Sequence, residues 1–220
     1  MVPFWICYPS LDKNKTVIHG VDLEVPSNRI SVIIGSNGCG KSTLLKTLAR
    51  LIKPTSGNIV LDGKPLGKIP PKQLARVIGL LPPSPISGGQ RQRVWIAMAL
   101  AQQTDILFLD EPSTFLDITY QVEILDLLTD LNRKHGTTIV MVLHDINLSA
   151  RYADHIFALN KGKLVAEDEP SRVITSALVN HIFALDCAVI QVPVSGSPMV
   201  VPKGRHHVHQ DWNQEKEQAR

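Results

Sequence analysis

No apolar run in this sequence approaches the roughly 18 residues that a membrane span needs, and no basic segment precedes an apolar one at the N-terminus. The expectation is a cytoplasmic protein that meets a membrane only peripherally, through a partner. Cysteine is scarce: Cys7, Cys39 and Cys187 have no metal-binding spacing, which excludes a zinc framework. Cys39 lies in a glycine-rich loop where a disulfide would obstruct a ligand, so free thiols and a reducing compartment are expected. A charge excess of one sign is also missing, since 23 Lys and Arg face 20 Asp and Glu along the chain. That balance argues against nucleic acid as a partner, though it is no obstacle to an acidic membrane surface. What remains is an ordinary globular composition, 44% hydrophobic and 20% charged over 220 residues, enough for one large domain with or without an appendage.

The most informative stretch is Gly35-Ser36-Asn37-Gly38-Cys39-Gly40-Lys41-Ser42-Thr43. It follows the apolar Ile30, Val32, Ile33 and Ile34 and precedes Leu44, Leu45 and Leu48 at helical spacing, so the order is strand, glycine turn, helix. Glycines let backbone N–H groups converge on one anion, and the helix adds the positive end of its dipole. In this pattern Lys41 reaches the β- and γ-phosphates of a nucleotide and the Ser42 hydroxyl is offered to Mg²⁺.

Around this loop the chain alternates strands with helices. Phe4 to Tyr8 reads as an edge strand or an aromatic platform. Val17, Val21, Leu23 and Val25 alternate with polar residues as in a half-buried strand. Short strands are expected at 59–61, 77–81 and 106–109, the last an unbroken apolar run of the kind covered on both faces in a parallel sheet. A helix is predicted from Pro71 to Arg76, another at 94–101, and a long one from Leu116 to about His135 with Val122, Leu125, Leu128 and Leu131 inward and Gly136 closing it. Thr138 to Leu143 is a buried strand, Ile146 to Asp154 a helix, and 156–159 and 164–166 are strands about a turn. Ser171 is expected to cap a short helix and Ala177 to Phe183 to form another, before irregular strand over Val189 to Val201. The domain spans residues 1–203, and 204–220 read as a polar, frayed tail whose His206, His207 and His209 lack the carboxylate or cysteine framework of a metal site.

Lys41, the pair Asp110-Glu111 and His144 each follow a strand, and ligands in open α/β sheets bind at the carboxyl ends of strands. Asp110 is placed to hold Mg²⁺ through a water, Glu111 to polarise an attacking water, and His144 to hold a γ-phosphate and sense its departure. Taken singly, Asp110-Glu111-Pro112 reads equally as a strand exit with a helix-capping acid, and His144 as a satisfied turn residue.

GSNGCGKST, SGGQRQR, ILFLDEPSTFLD and the isolated His144 occur in the order seen in ATP-binding-cassette ATPases, and HDINLSARYA and DCAVIQVPVSGSPMVVPKGR resemble the subgroup that powers iron-siderophore importers. The resemblance implies an α/β P-loop NTPase core with a largely parallel sheet and an N-terminal antiparallel β subdomain. It further implies ATP and Mg²⁺ as cofactors, phosphate binding by Gly35, Ser36, Asn37, Gly38, Cys39, Gly40, Lys41, Ser42 and Thr43, and metal binding by Ser42 and Asp110. By the same resemblance Glu111 is the catalytic base, His144 the γ-phosphate switch, and Tyr8 the aromatic that stacks on adenine. Ser87, Gly88, Gly89 and Gln90 match the signature that closes on ATP held by the opposite subunit of a head-to-tail homodimer, and Phe115-Leu116-Asp117 matches the loop crossing between subunits. Integral-membrane permease subunits are the implied further partners.

The sequence departs from that family between Leu81 and Ser87, where Pro82 to Ile86 stand in place of a helical subdomain. The family's glutamine after this strand falls at Pro83, which has neither an amide side chain nor a backbone donor. The stretch from Leu81 to Ser87 spans at most about 20 Å when extended. The expectation is therefore a folded nucleotide-binding core with a misplaced or disordered signature and impaired coupling to transport. A non-catalytic nucleotide-binding module is the alternative; a cassette acting on nucleic acid fits the modest charge poorly.

Overall fold

Alternating apolar strands and amphipathic helices assemble into a six-stranded sheet with helices on both faces. The structure is a computed structural model that describes residues 10–12, 15–81, 103–114 and 116–204. Among them are β1 (Ser10–Asp12), β2 (Lys15–Thr16), β3 (Ile30–Gly35), α1 (Lys41–Leu48), β4 (Val60–Leu61), β5 (Lys64–Pro65), α2 (Pro71–Val77), β6 (Ile78–Leu81) and β7 (Ile106–Asp110). After them come α3 (Ile118–His135), β8 (Thr138–Val142), α4 (Ile146–Tyr152), β9 (His155–Asn160), β10 (Lys163–Asp168), α5 (Pro170–Val173), α6 (Ser176–Phe183), β11 (Cys187–Gln191) and β12 (Pro198–Pro202). The main sheet runs β10-β9-β3-β8-β7-β6. Only β10 is antiparallel to its neighbour; the other pairings are parallel.

The buried strands explain this layout. On β7 the side chains of Ile106 and Phe108 join one core cluster while Leu107 and Leu109 join the other, and on β3 Ile33 faces the first while Ile30, Val32 and Ile34 face the second. An apolar run without polar alternation thus buries both faces, as a parallel sheet requires. Leu44, Leu45 and Leu48 of α1 cover the first face; Ile124, Leu125 and Leu128 of α3 cover the second. Burial of each such side chain contributes about 1.5–3 kcal/mol relative to exposure.

Antiparallel pairs flank the sheet: β1 with β2, β4 with β5, and β11 with β12. Residues 17–25 differ from expectation. Ile18, Val21, Leu23 and Val25 are buried while Asp22 and Glu24 are exposed, but among the described residues no strand is assigned there, because burial alternation alone does not supply a ladder partner. The predicted cap at Ser171 is also corrected: Ser171 lies inside α5, and Glu169 is the residue before it. α3 starts at Ile118 because Asp117 accepts a hydrogen bond from the Tyr120 N–H at 3.1 Å. Its inner stripe contains Ile124, whereas Val122 is only half-buried. The irregular strand expected at 189–201 is the regular hairpin β11–β12.

Strands β6 and β7 are neighbours in register from Ile78 with Ile106 to Leu81 with Leu109. Residues 82–105 connect the carboxyl end of one to the amino end of the other, longer than the dozen or so residues a parallel crossover needs. The expected helix at 94–101, the signature Ser87 to Gln90, Pro82 to Ile86, Tyr8, Phe115 and the tail beyond Gly204 lie outside the described residues.

Candidate nucleotide site

The glycine loop leaves β3 at Gly35, whose φ of +154° and close packing admit no side chain: a Cβ there would collide with the Leu159 carbonyl oxygen on β9 and with Cys39 Sγ. Gly40, with φ +105°, precedes α1, and a Cβ on it would run into Ile18. The loop is also tied from outside. The Gly162 N–H donates to the Cys39 carbonyl at 3.0 Å, and the Gly162 carbonyl accepts from the His19 N–H at 2.7 Å. The β9–β10 turn therefore clamps the loop to residues 17–20.

Lys41 is 5% exposed, and its Nζ donates to the carbonyls of Gly35 at 2.8 Å and Ser36 at 3.1 Å. The ammonium is thus held inside the curve of the loop. Burial pushes the Cys39 thiol above its ordinary value, against a smaller opposing effect of the Lys41 charge, so Cys39 adds no negative charge where an anion would sit. Cys39 and Cys187 are both free, as expected.

Parallel pairing brings the ends of β7 and β8 beside this loop. Ser42 Oγ donates to Asp110 Oδ1 at 2.8 Å, and Lys46 Nζ stands 3.4 Å from Asp110 Oδ2. Asp110 is 1% exposed, and its Oδ2 has no hydrogen-bond partner. Glu111 adopts φ +56°, an uncommon conformation for a residue with a side chain. Its Oε1 lies 2.6 Å from His144 Nε2, and its Oε2 accepts from Thr114 Oγ1 at 3.3 Å. Next to His144, Asp145 caps α4 by accepting from the N–H groups of Asn147 and Leu148, each at 2.8 Å, which fixes where α4 begins.

Asn37, Gly38, Gly40, Lys41, Ser42, Thr43, Glu111 and His144 line one cleft of about 400 Å³ together with Val17. A larger cavity, about 790 Å³, sits at the amino ends of the strands near Asn28, Asp105 and Thr138 and contains none of the predicted residues. Chemistry rather than size selects the smaller one: it gathers a cation, an anion-binding loop, the Glu111 carboxylate and a histidine, and Ser42 on its wall is bonded to the buried Asp110. The sequence reading missed Lys46, Thr114 and Gly162. Lys46 was accessible, being four residues after Ser42 on the same helix face; Thr114 bonds locally to Glu111, and the Gly162 contacts depend on the fold.

Strand, glycine loop and helix, with an acidic pair at the carboxyl end of β7, two strands away from β3 in the same parallel sheet, define a P-loop ATPase. The family model described as ABC transporter matches residues 18–85 and 71–114. The probable siderophore transport system ATP-binding protein YusV of Bacillus subtilis (strain 168) is 42% identical, over 86% of this chain and 88% of the relative. The achromobactin transport ATP-binding protein CbrD of Dickeya dadantii (strain 3937) is 39% identical, over 87% and 91%. Among solved structures, cbiO1 from Clostridium perfringens, part of the ABC transporter complex cbiONQ, shares the fold with a TM-score of 0.70 at 24% identity, over 82% of this chain and 94% of that one. The chain belongs to the ABC transporter family, among its ATP-binding subunits. No helix among the described residues is long and apolar enough to cross a membrane.

Proposed function

We propose that this chain binds and hydrolyses ATP as the motor subunit of an importer for iron-siderophore complexes, held by permease subunits at the cytoplasmic face of the membrane, with its coupling to transport impaired. The observation that carries the reading is the meeting of Lys41, the Ser42–Asp110 pair and the Glu111–His144 pair at the carboxyl ends of β3, β7 and β8. The siderophore class is supported by the names of the relatives YusV and CbrD.

Residues 35–43 hold the phosphates through their N–H groups and the Lys41 ammonium. Ser42 and Asp110 fit a magnesium ion: a buried carboxylate oxygen without a hydrogen bond and a hydroxyl at 2.8 Å form an oxygen donor set of the kind the ion prefers. When bound, the ion offsets charge on the phosphates. Glu111 takes the proton of the attacking water, and His144, within hydrogen-bonding reach of Glu111, aligns that carboxylate and faces the γ-phosphate. By the family resemblance Tyr8 is the residue for adenine stacking, and a head-to-tail homodimer in which Ser87 to Gln90 meet the nucleotide of a second copy forms only if the signature is correctly placed.

Impaired coupling is supported by length. At 86% of 220 residues, about 189 residues of this chain enter an alignment of 242 positions with YusV, so about 53 positions have no counterpart here. A shortened connection at Pro82 to Ile86 fits that difference, and it removes the family's main docking surface for the permease. The same observation, with Pro83 in the glutamine's place, favours a second reading: a module that binds ATP and hydrolyses little.

Mg²⁺-dependent ATP turnover of the purified chain, measured beside Glu111→Gln with a parallel nucleotide titration, separates the two. The expected outcome is turnover reduced by about a hundredfold or more in the variant with affinity nearly unchanged. Binding without turnover in the wild-type chain would replace the motor reading by the module, and equal turnover in both proteins would remove Glu111 from the role of base.

A further inference from the structure

Lys46 and Ser42 project from successive turns of one face of α1, and between them they hold both oxygens of a single carboxylate. Ser42 Oγ is bonded to Oδ1 at 2.8 Å; Lys46 Nζ faces Oδ2 at 3.4 Å, near enough for an ion pair but outside hydrogen-bonding geometry. The Asp110 side chain is fully buried, and a buried carboxylate is unfavourable unless a cation faces it. Among the described residues no other cation forms an ion pair with it. Lys46 itself is 35% exposed, so it supplies its charge while keeping part of its hydration. An ordinary surface pair contributes little, but here one partner is wholly inside the protein.

We propose that Lys46 is a positioning residue for the metal site. This rests on the reading of Ser42 and Asp110 as the magnesium pair. The ammonium fixes the carboxylate plane so that Oδ1 stays against Ser42 and Oδ2 keeps its capacity to accept a hydrogen bond. Lys46 touches neither the nucleotide nor the metal in this account; it acts through Asp110. Without its charge, the carboxylate turns toward whatever donor it can find, and the Ser42 hydroxyl loses its alignment.

The test is binding of β,γ-imido ATP to the full chain over a series of Mg²⁺ concentrations and in EDTA, for wild type, Lys46→Met and Lys46→Arg. The expected result is a Mg²⁺ midpoint raised about tenfold in Lys46→Met, restored in Lys46→Arg, with Mg²⁺-free affinity nearly unchanged in both. Lys46→Gln replaces Lys46→Met if the latter does not give a cooperative thermal unfolding transition. A neutral variant with the wild-type Mg²⁺ midpoint, or an equal loss in EDTA and in Mg²⁺, would overturn the proposal. Wild-type affinity that ignores Mg²⁺ would overturn the magnesium reading itself, a distinguishable result.

Discussion

Glu111 carries a conformational cost in its left-handed backbone and holds a 2.6 Å contact with His144, and both follow from its place one residue beyond β7. Such costs persist where the surrounding structure enforces them. His155 shows the converse, a titratable side chain that the fold disfavours charging. Burial lowers its pKa from the ordinary 6.5, Arg29 lowers it further, Asp168 and Glu169 oppose the shift, Glu167 lies 4.0 Å away, and Nε2 has no hydrogen bond. Below 6.5 the unfolded chain binds more protons than the folded one, so stability rises with pH through that window and falls as the solution is acidified. Thermal unfolding followed from pH 7.5 downward is expected to show a falling midpoint below pH 6.5 that is shallower in His155→Gln; an unchanged slope would remove His155 as a cause. At this scale the sequence was readable where spacing carries chemistry: Asn37, Gly38, Gly40, Lys41, Ser42, Thr43, Glu111 and His144 line one cleft, and Asp110 is bonded to Ser42. Gly162 was not readable, because its partners Cys39 and His19 are chosen by tertiary contact; Thr114 bonds to Glu111 three residues before it, a local turn contact that the spacing does not distinguish from a free hydroxyl.

The element that positions the phosphate loop is the turn between β9 and β10. Gly162 has φ +76°, and a Cβ there would collide with the Val17 carbonyl, while its N–H and carbonyl hold Cys39 and His19. Gly63, in the β4–β5 turn, shares the positive φ of +72° but faces open space. Alanine at either site meets the same backbone strain, so their difference isolates the collision. Gly162→Ala is expected to weaken nucleotide binding about tenfold or more and Gly63→Ala hardly at all, since misplaced binding groups can cost about a hundredfold; equal effects in a titration of both would contradict the clamp. Strands and helices were largely legible because apolar runs and helical periods are local signals. Residues 17–25 were read as a strand from a burial pattern that persists without a ladder, and the start of α5 was placed on Ser171 although Pro170 already occupies the first turn.

At the scale of the whole molecule, the sheet order sets what the connection between β6 and β7 has to span. β6 and β7 lie side by side in register, so residues 82–105 join neighbouring strands of one sheet. The adjacency of the two strands is a property of topology, which no local signal in the sequence carries. The central claim is that this core assembles a nucleotide site by itself. The most direct test is a calorimetric titration of the full chain with β,γ-imido ATP and Mg²⁺, beside Lys41→Ala. One site per chain, with affinity lowered about tenfold or more by removal of the buried ammonium, is the predicted result. No binding by the wild-type chain, or binding that Lys41→Ala leaves unchanged, would contradict it.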